Sequence, residues 1–180
     1  MHALRTAIDV AWVVFWLYWL AAAMRAKQSV RSGRGLRIRG LSVLATVLLL
    51  GVLNRGSLAT HSLTLGAIGA GLFAAGIVLA IWARLHLGRD WGMPMTQRAE
   101  PELITSGPYS LIRNPIYSGL LLAMLGTALA TNLFGLIVVA ILGGFFFYSA
   151  SIEEKNLATS FPETYPAYRA RTKVLIPFLL

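Results

Sequence analysis

Long apolar runs separated by polar connections dominate the pattern of hydrophobic and polar positions along this chain. The runs are Val10–Met24, Leu41–Leu53, Leu63–Ala83, Ile116–Ala130 and Leu133–Ala150. A helix needs about 20 apolar residues to cross the hydrocarbon core of a bilayer, and the second run approaches that length only with its flanking residues. The pattern predicts an all-α integral membrane bundle of five transmembrane helices. The expected spans cover about residues 8–24, 38–54, 62–83, 115–130 and 133–152.

Two polar stretches keep enough aromatic and apolar residues to fold rather than to act as linkers. The connection between the third and fourth spans holds Trp91, Met93 and Tyr109, and a connection of about 30 residues is uncommon unless it builds a site. The segment 153–180 keeps Phe161 and Tyr165 among its charges. We therefore expect one membrane domain over residues 1–180, with a tail that folds back against the cytoplasmic face.

Positive charge is concentrated in alternate connections. Of the 16 Lys and Arg residues, six lie in the first connection, four in residues 84–114 and four in the tail, whereas the second connection carries only Arg55. This distribution predicts an N-terminus outside the cell and a cytoplasmic C-terminus. It makes the net charge of +9 a topology signal rather than a nucleic-acid-binding surface. Because the chain has no cysteine, disulfides and thiolate metal sites are excluded, and we expect no metal.

Small residues and one glycine indicate how the third span packs and ends. Ala67, Gly71 and Ala75 recur at a spacing of four, with Gly66 and Ala70 beside them, which favours close helix packing in lipid. His86 and Gly88 follow the pattern of a helix C-terminus, with histidine in the last turn and glycine beyond it.

The polar sequence before the fourth span predicts a helix start. In Asn114-Pro115, the asparagine can accept a hydrogen bond from an unpaired backbone N–H, and proline needs no donor in the first turn. The helix N-terminus together with Arg113 could hold an anionic group. Residue types alone leave an equal alternative, in which these residues shape a turn and Arg113 reaches lipid phosphate.

Glu153 and Glu154 are placed by the sequence at the C-terminal end of the fifth span, where carboxylates oppose the helix dipole and are costly near a membrane. Such residues usually face a cavity and meet a cation. One hypothesis is that one of them faces a cationic ligand or holds a functional arginine. The alternative is that they only pair with Lys155 and nearby arginines at the interface.

Four motifs in order carry a family resemblance. They are Leu103-x-x-x-Gly107-Pro108-Tyr109, Arg113-Asn114-Pro115-Ile116-Tyr117-Ser118-Gly119, Glu153-Glu154-x-x-Leu157, and Phe161-x-x-x-Tyr165-x-x-Tyr168 with Pro177. Together they resemble the isoprenylcysteine carboxyl methyltransferase family and its phospholipid methyltransferase relatives. The likeness covers His86 to Pro177. It departs from the family pattern at Asn114, where the family has histidine, so a role for a ring nitrogen is lost.

The resemblance implies an integral membrane methyltransferase that uses S-adenosylmethionine, with a cytoplasmic cofactor-binding loop and C-terminal tail (residues 84–115 and 153–180). It implies cofactor-binding roles for Gly107, Tyr109, Arg113, Asn114, Pro115, Tyr117 and Glu153. It implies catalytic roles for Arg171, Glu154 and Glu153, with Arg171 positioning the acceptor and a glutamate holding that arginine. Arg169 is the alternative to Arg171.

The acceptor is expected to be a small lipophilic molecule or a lipid that enters from the membrane. A carboxylate acceptor, for example one linked to an isoprenoid, is already ionised at neutral pH, whereas a thiol or amine would need Glu153, Glu154, Tyr117 or His86 to remove a proton. Two other classes stay open: an NADPH-dependent membrane reductase of the sterol reductase type, and a non-catalytic membrane scaffold. A transport path is disfavoured because the spans hold almost no ionisable residues.

Overall fold

The computed structural model describes residues 2–23, 58–88 and 102–175. Within these ranges the chain forms five α-helices and a short 3₁₀ helix at Gly107–Ser110. The α-helices are α1 (His2–Ala23), α2 (Leu63–Leu87), α3 (Pro115–Thr131), α4 (Gly135–Ser160) and α5 (Tyr165–Arg171). No strand longer than an isolated bridge occurs in this part of the chain, so the predicted all-α class is confirmed.

Three of the described helices, α1, α2 and α4, are long and apolar enough to cross a membrane. The fourth expected span corresponds to α3, a shorter apolar helix of 17 residues. At a rise of about 1.5 Å per residue it is about 25 Å long, at the lower limit for a spanning helix. The predicted span at 38–54 lies outside the described residues. The length and composition of these three helices support a membrane protein, and the total of five spans stays a prediction.

Glycine allows α2 and α3 to pack with their backbones in contact. A Cβ atom at Gly69 would lie 2.6 Å from the Gly126 oxygen, and one at Gly119 would lie 2.7 Å from the Gly76 oxygen. The two pairs, Gly69 with Gly126 and Gly76 with Gly119, are seven residues apart on each helix, which fits two turns of an antiparallel contact. Close backbone approach of this kind is how small residues hold helices together in lipid.

α2 packs through small residues, as predicted, but on a different side of the helix from Ala67, Gly71 and Ala75. Ala67, Gly71 and Ala75 are exposed in the described structure, and nothing lies within 4 Å of a Cβ built at Gly71. The buried face consists instead of Gly66, Gly69, Phe73, Gly76, Ala80 and Ala83. Their spacing of three and four residues keeps them on one side of the helix.

The observed helix ends agree in part with those predicted from the sequence. Gly88 ends α2 with φ of 53°, a conformation that favours glycine, and His86 lies in the last turn, as predicted. α3 begins at Pro115, also as predicted, but the side chain of Asn114 makes no capping hydrogen bond. Its amide nitrogen donates instead to the Val174 carbonyl, 3.1 Å away, because the tail lies against it. The capping role expected of Asn114 is therefore wrong.

The last long helix continues well beyond its apolar run. α4 extends to Ser160, six residues past Glu154, and ends just before Phe161-Pro162. The dipole effect is confined to the last turn of a helix, so these carboxylates do not oppose the C-terminus as expected. Their positions are set by what lies beside them.

α1 packs against α2 and α3 through aromatic side chains. Trp12 contacts Phe73 edge to face, with ring centroids 5.6 Å apart, and its indole nitrogen donates to the Thr127 hydroxyl at 3.0 Å. Phe15 and Trp19 continue the contact toward Tyr117. α1 therefore covers the α2–α3 pair along its length.

Replacing Gly76 with alanine should destabilise the protein by about 1–3 kcal/mol, because the new methyl group would collide with the backbone of α3 at Gly119 and Ala123. Gly71→Ala is the matched control on the same helix, where a Cβ meets open space. Thermal unfolding of the detergent-solubilised variants measures the difference. Equal melting temperatures for the two variants would contradict the glycine contact.

Candidate functional site

The entry to α3 is shaped by Gly107. This residue has φ of 58°, and a Cβ placed there would collide with the ring of His86 at the end of α2. Both the backbone conformation and the contact require glycine. The ring of His86 is fixed by a 3.1 Å contact between its Nδ1 and the Trp82 carbonyl. The turn at Gly107–Ser110 is thus held against α2, and this places Tyr109 and Arg113.

The tail returns to the start of α3, as predicted, and pairs with it. Backbone hydrogen bonds run from Arg113 N to the Lys173 oxygen at 2.7 Å and from Asn114 N to the Val174 oxygen at 3.2 Å. Ser118 donates its hydroxyl to the Leu175 carbonyl. Farther back, the buried Tyr168 hydroxyl donates to the Tyr109 carbonyl at 2.8 Å. These bonds fix segment 168–175 on segment 109–118.

Arg113 is the centre of this arrangement. Its Nε donates to Glu154 Oε1 at 2.7 Å, which ties α4 to the start of α3. Another guanidinium nitrogen donates to the carbonyls of Arg169 and Thr172, which ties in the tail. The side chains of Arg113 and Glu154 are only 7% and 14% exposed, so the ion pair is largely shielded from water. Loss of one partner from such a pair typically costs about 3–5 kcal/mol.

Glu154 lies between two arginines, and the second is Arg169 rather than Arg171. The Arg169 Nε is 3.6 Å from Glu154 Oε2. Arg171 lies over the ring of Tyr168, with 5.9 Å between its guanidinium carbon and the ring centroid. The pairing expected between Arg171 and a glutamate is therefore made by the alternative arginine. Both arginines are exposed, and a role for either with the acceptor stays a prediction.

Glu153 is held by Tyr117, whose hydroxyl donates to Glu153 Oε1 at 2.5 Å. The ring of Tyr117 stacks on Phe146 with centroids 4.7 Å apart and planes 8° from parallel. Since Tyr117 and Phe146 lie on different helices, the stacking fixes the phenol between α3 and α4. The two adjacent carboxylates therefore have different neighbours: Glu153 meets a phenol and Glu154 meets two guanidinium groups.

Two tyrosines of the tail, Tyr165 and Tyr168, are deeply buried. Burial raises the pKa of Tyr165 to about 12, with the charge of Glu154 adding to the effect. Burial likewise raises the pKa of Tyr168 to about 12. The Tyr165 hydroxyl is enclosed and has no hydrogen-bond partner among the described residues. Both phenols are thus neutral across the physiological pH range.

The structure brings most of the candidate residues to one end of the bundle. Gly107, Tyr109, Arg113, Asn114, Pro115 and Tyr117 lie at the entry to α3, Glu153 and Glu154 on the facing part of α4, and Arg171 on α5. Pro115 is fully buried and forms the first turn of α3.

Sequence reasoning missed Phe146 and Thr172. Phe146 lies two turns before Glu153 in the same run, and this spacing could have indicated it.

The site offers groups for a charged ligand with anionic and cationic parts. Among the described residues, one terminal nitrogen of Arg113 (Nη2) makes no hydrogen bond, while Nε and Nη1 are engaged. It can donate to an anion without breaking the ion pair. The carboxylates of Glu153 and Glu154 are half-buried and can face a cation. In the part of the chain described, no three His, Asp or Glu side chains gather as a metal site.

Comparison with known proteins gives the family. Residues 64–164, more than half of the chain, match the model of the phospholipid methyltransferase family. The chain therefore belongs to this family, and the resemblance drawn from the four motifs is confirmed.

Two curated relatives have names that refer to metal resistance. The chain is 38% identical over 96 residues to the cobalt-zinc-cadmium resistance protein CzcN of Cupriavidus metallidurans, covering 52% of this chain and 44% of that protein. It is 32% identical over 96 residues to the nickel-cobalt-cadmium resistance protein NccN of Alcaligenes xylosoxydans xylosoxydans, covering 52% and 45%. The matched segment is thus less than half of each relative.

Stability should decline between about pH 10 and pH 12. A phenol of pKa about 12 when folded and 10 when unfolded holds its proton more tightly in the folded state, so rising pH in this window favours unfolding. Tyr165→Phe should reduce the decline at little cost, since the lost hydroxyl has no partner. Melting temperature against pH tests this, with the exposed Tyr148→Phe as control. A decline as steep in Tyr165→Phe as in the control would contradict it.

Proposed function

We propose that this protein transfers a methyl group from S-adenosylmethionine to a small lipophilic acceptor at the cytoplasmic surface of the membrane. Family membership supports methyl transfer. The observation that carries the proposal is the convergence of Arg113, Glu154, Tyr117 and Glu153 through two short hydrogen bonds at one end of the bundle. In this arrangement a group that binds anions lies close to two that attract cations.

The residues fit the charges of the cofactor. Its carboxylate suits the remaining donor of Arg113 and the start of α3 beside it, because guanidinium and carboxylate pair with directional hydrogen bonds. Its cationic sulfonium suits the paired carboxylates. When bound, it supplies a methyl carbon that is attacked by the acceptor's lone pair, while the electrons of the carbon–sulfur bond pass to sulfur.

The chain's own contribution is placement and exclusion of water. Phe146 and Tyr117 hold Glu153, and Arg113 holds Glu154, so both carboxylates have a fixed position before any ligand arrives. Holding the reacting groups in a fixed geometry removes much of the entropic part of the barrier to an in-line displacement. The tail, bonded to residues 111–114, shields this end from bulk water.

The acceptor determines which side chains act on it. A carboxylate acceptor, for example one linked to an isoprenoid, needs no base, and the exposed Arg171 and Arg169 are available to bind it. A thiol or amine acceptor gives up a proton, and our candidate base is Glu153, which accepts a hydrogen bond from Tyr117. In both cases the apolar part of the acceptor lies in lipid, in keeping with the exposed apolar faces of α1 and α4.

The purified protein should bind S-adenosylmethionine and not NADPH. Calorimetry in detergent micelles with each compound measures this directly. Tight NADPH binding together with no response to S-adenosylmethionine would favour a reductase, and no binding of either would favour a scaffold.

Glu154→Gln and Arg113→Ala should each lower the transfer of radiolabelled methyl groups from S-adenosylmethionine to lipid extract by at least about 100-fold. The first change leaves Arg113 without its counter-charge, and the second leaves Glu154 with only the exposed Arg169 beside it. The matched controls are the exposed Glu163→Gln and Lys155→Ala. Size-exclusion profiles show whether each variant is folded. Full activity in a folded Glu154→Gln or Arg113→Ala variant would disprove the assignment.

A further inference from the structure

An exposed leucine lies at the polar end of the bundle, two residues before Arg113. Leu111 directly follows the short 3₁₀ helix and is 52% exposed, although the next residue, Ile112, is buried. Its backbone is fixed by the tail, because its carbonyl accepts a hydrogen bond from Lys173 N at 3.2 Å. The fold therefore holds this apolar side chain at the surface.

Two cations lie on the same surface as Leu111. Thr172 has an extended backbone, with φ of −122° and ψ of 158°, and its buried side chain lies next to Arg113. Because side chains alternate sides along an extended chain, Arg171 and Lys173 are directed away from the side on which Thr172 is buried. Both are exposed. We call Leu111, Arg171 and Lys173 the tail surface.

The tail surface carries positive charge that the described residues do not balance. Segment 165–175 contains three basic residues and no Asp or Glu. In the part of the chain that the structure describes, the ion pairs join Glu154 to Arg113 and to Arg169. Arg171 and Lys173 take no part in them. Cationic side chains next to an exposed apolar one are typical of protein surfaces that lie in the interface of an anionic membrane.

Exposed aromatic side chains indicate where the bilayer surface lies relative to the candidate site. Trp82 on α2 is 45% exposed, and Tyr148 on α4 is 61% exposed. Trp and Tyr are enriched at the level of the lipid headgroups. Tyr148 is five residues before Glu153, and the ring of Trp82 contacts the ring of His86 edge to face. The headgroup layer therefore meets α2 and α4 close to the site end of the bundle.

Apolar exposure continues past Trp82 toward the turn that carries Leu111. Leu85, in the last turn of α2, is 64% exposed. The next residue, His86, lies against Gly107, where a Cβ would be 2.4 Å from the imidazole ring. Gly107 begins the 3₁₀ helix that ends beside Leu111. Exposed leucines on both sides of this contact indicate that lipid, and not only water, covers this part of the surface.

We propose that the tail surface docks onto the anionic headgroups of the adjacent leaflet. The side chain of Leu111 inserts among the upper parts of the acyl chains, and the cations of Arg171 and Lys173 contact lipid phosphates. Each Lys or Arg close to an anionic membrane surface contributes about a fivefold preference for it. The tail then lies along the membrane, and Arg113 is level with the headgroups.

Single-cysteine labelling can test the apolar contact, because the chain has no cysteine of its own. Leu111→Cys is labelled with bimane in the full-length protein, which is reconstituted into liposomes that contain lipids spin-labelled on the acyl chain near the headgroup. Quenching should match that of the exposed Ile141→Cys on the apolar part of α4. It should be several-fold stronger than in the exposed Glu163→Cys, on the turn before α5. Equal quenching in Leu111→Cys and Glu163→Cys would overturn the proposal.

The same label measures the selection of lipid charge. Spin-labelled phosphatidylglycerol should quench the Leu111→Cys label at a several-fold lower fraction than phosphatidylcholine with the same acyl chains, whereas Ile141→Cys should not distinguish them. Arg171→Gln and Lys173→Gln, each added to Leu111→Cys, should reduce the preference, as should high salt. All four positions are exposed, so folding should be retained, and melting temperatures check this.

Equal quenching of the Leu111→Cys label by the two lipids would overturn the proposal. A preference that neither Arg171→Gln nor Lys173→Gln reduces would do the same. Both measurements are made without S-adenosylmethionine and without methyl transfer. Their outcome is therefore independent of the proposed function.

Discussion

The guanidinium of Arg113 is the interaction on which the site end of this molecule depends. It connects three pieces of chain that are far apart in sequence: the start of α3, the polar extension of α4 through Glu154, and the tail through the carbonyls of Arg169 and Thr172. The pair with Glu154 is shielded from water, and without Arg113 the carboxylate would keep only the longer contact with the exposed Arg169. The position of Glu154 and of the tail at residues 169–172 relative to the start of α3 is fixed by this one side chain.

The remaining parts of the site lie where that connection places them. Segment 171–175 lies beside residues 111–114, with a bridge between Ile112 and Lys173. The turn at Gly107 lies against α2 because a glycine there leaves room for the ring of His86. Tyr117 faces α4, where Phe146 and Glu153 lie about two turns apart on one side of the helix. An ion pair, a glycine and an aromatic stack thus combine elements from four helices.

Much of this could be predicted from the sequence, because strong local signals act without tertiary context. Long apolar runs gave the helices, Pro115 gave the start of α3, and Gly88 gave the end of α2. The order of the four motifs gave the family. Hydropathy, however, marks the membrane boundary and not the helix end, so α4 runs on through Glu153 and Glu154 until proline follows at position 162.

The errors concern choices that only packing decides. α2 carries small residues on several sides, so the spacing of Ala67, Gly71 and Ala75 could not identify the packing face. The partners Gly119 and Gly126 on α3 decide it. Asn114 has the residue type of a helix cap, yet the tail supplies a carbonyl to which its amide donates. Arg169, and not Arg171, reaches Glu154, although both arginines are exposed and similar in type.

The glycine contact between α2 and α3 has a consequence for motion. Two helices whose backbones touch at points seven residues apart can neither slide nor roll past one another without a collision. The α2–α3 pair is therefore a rigid unit that extends from one end of the bundle to the other. α1 and α4 meet this pair mainly through larger side chains, such as Trp12, Phe15 and Phe146. Motions that open a path for a ligand between the helices are therefore expected in α1 and α4. The α2–α3 pair should keep its geometry.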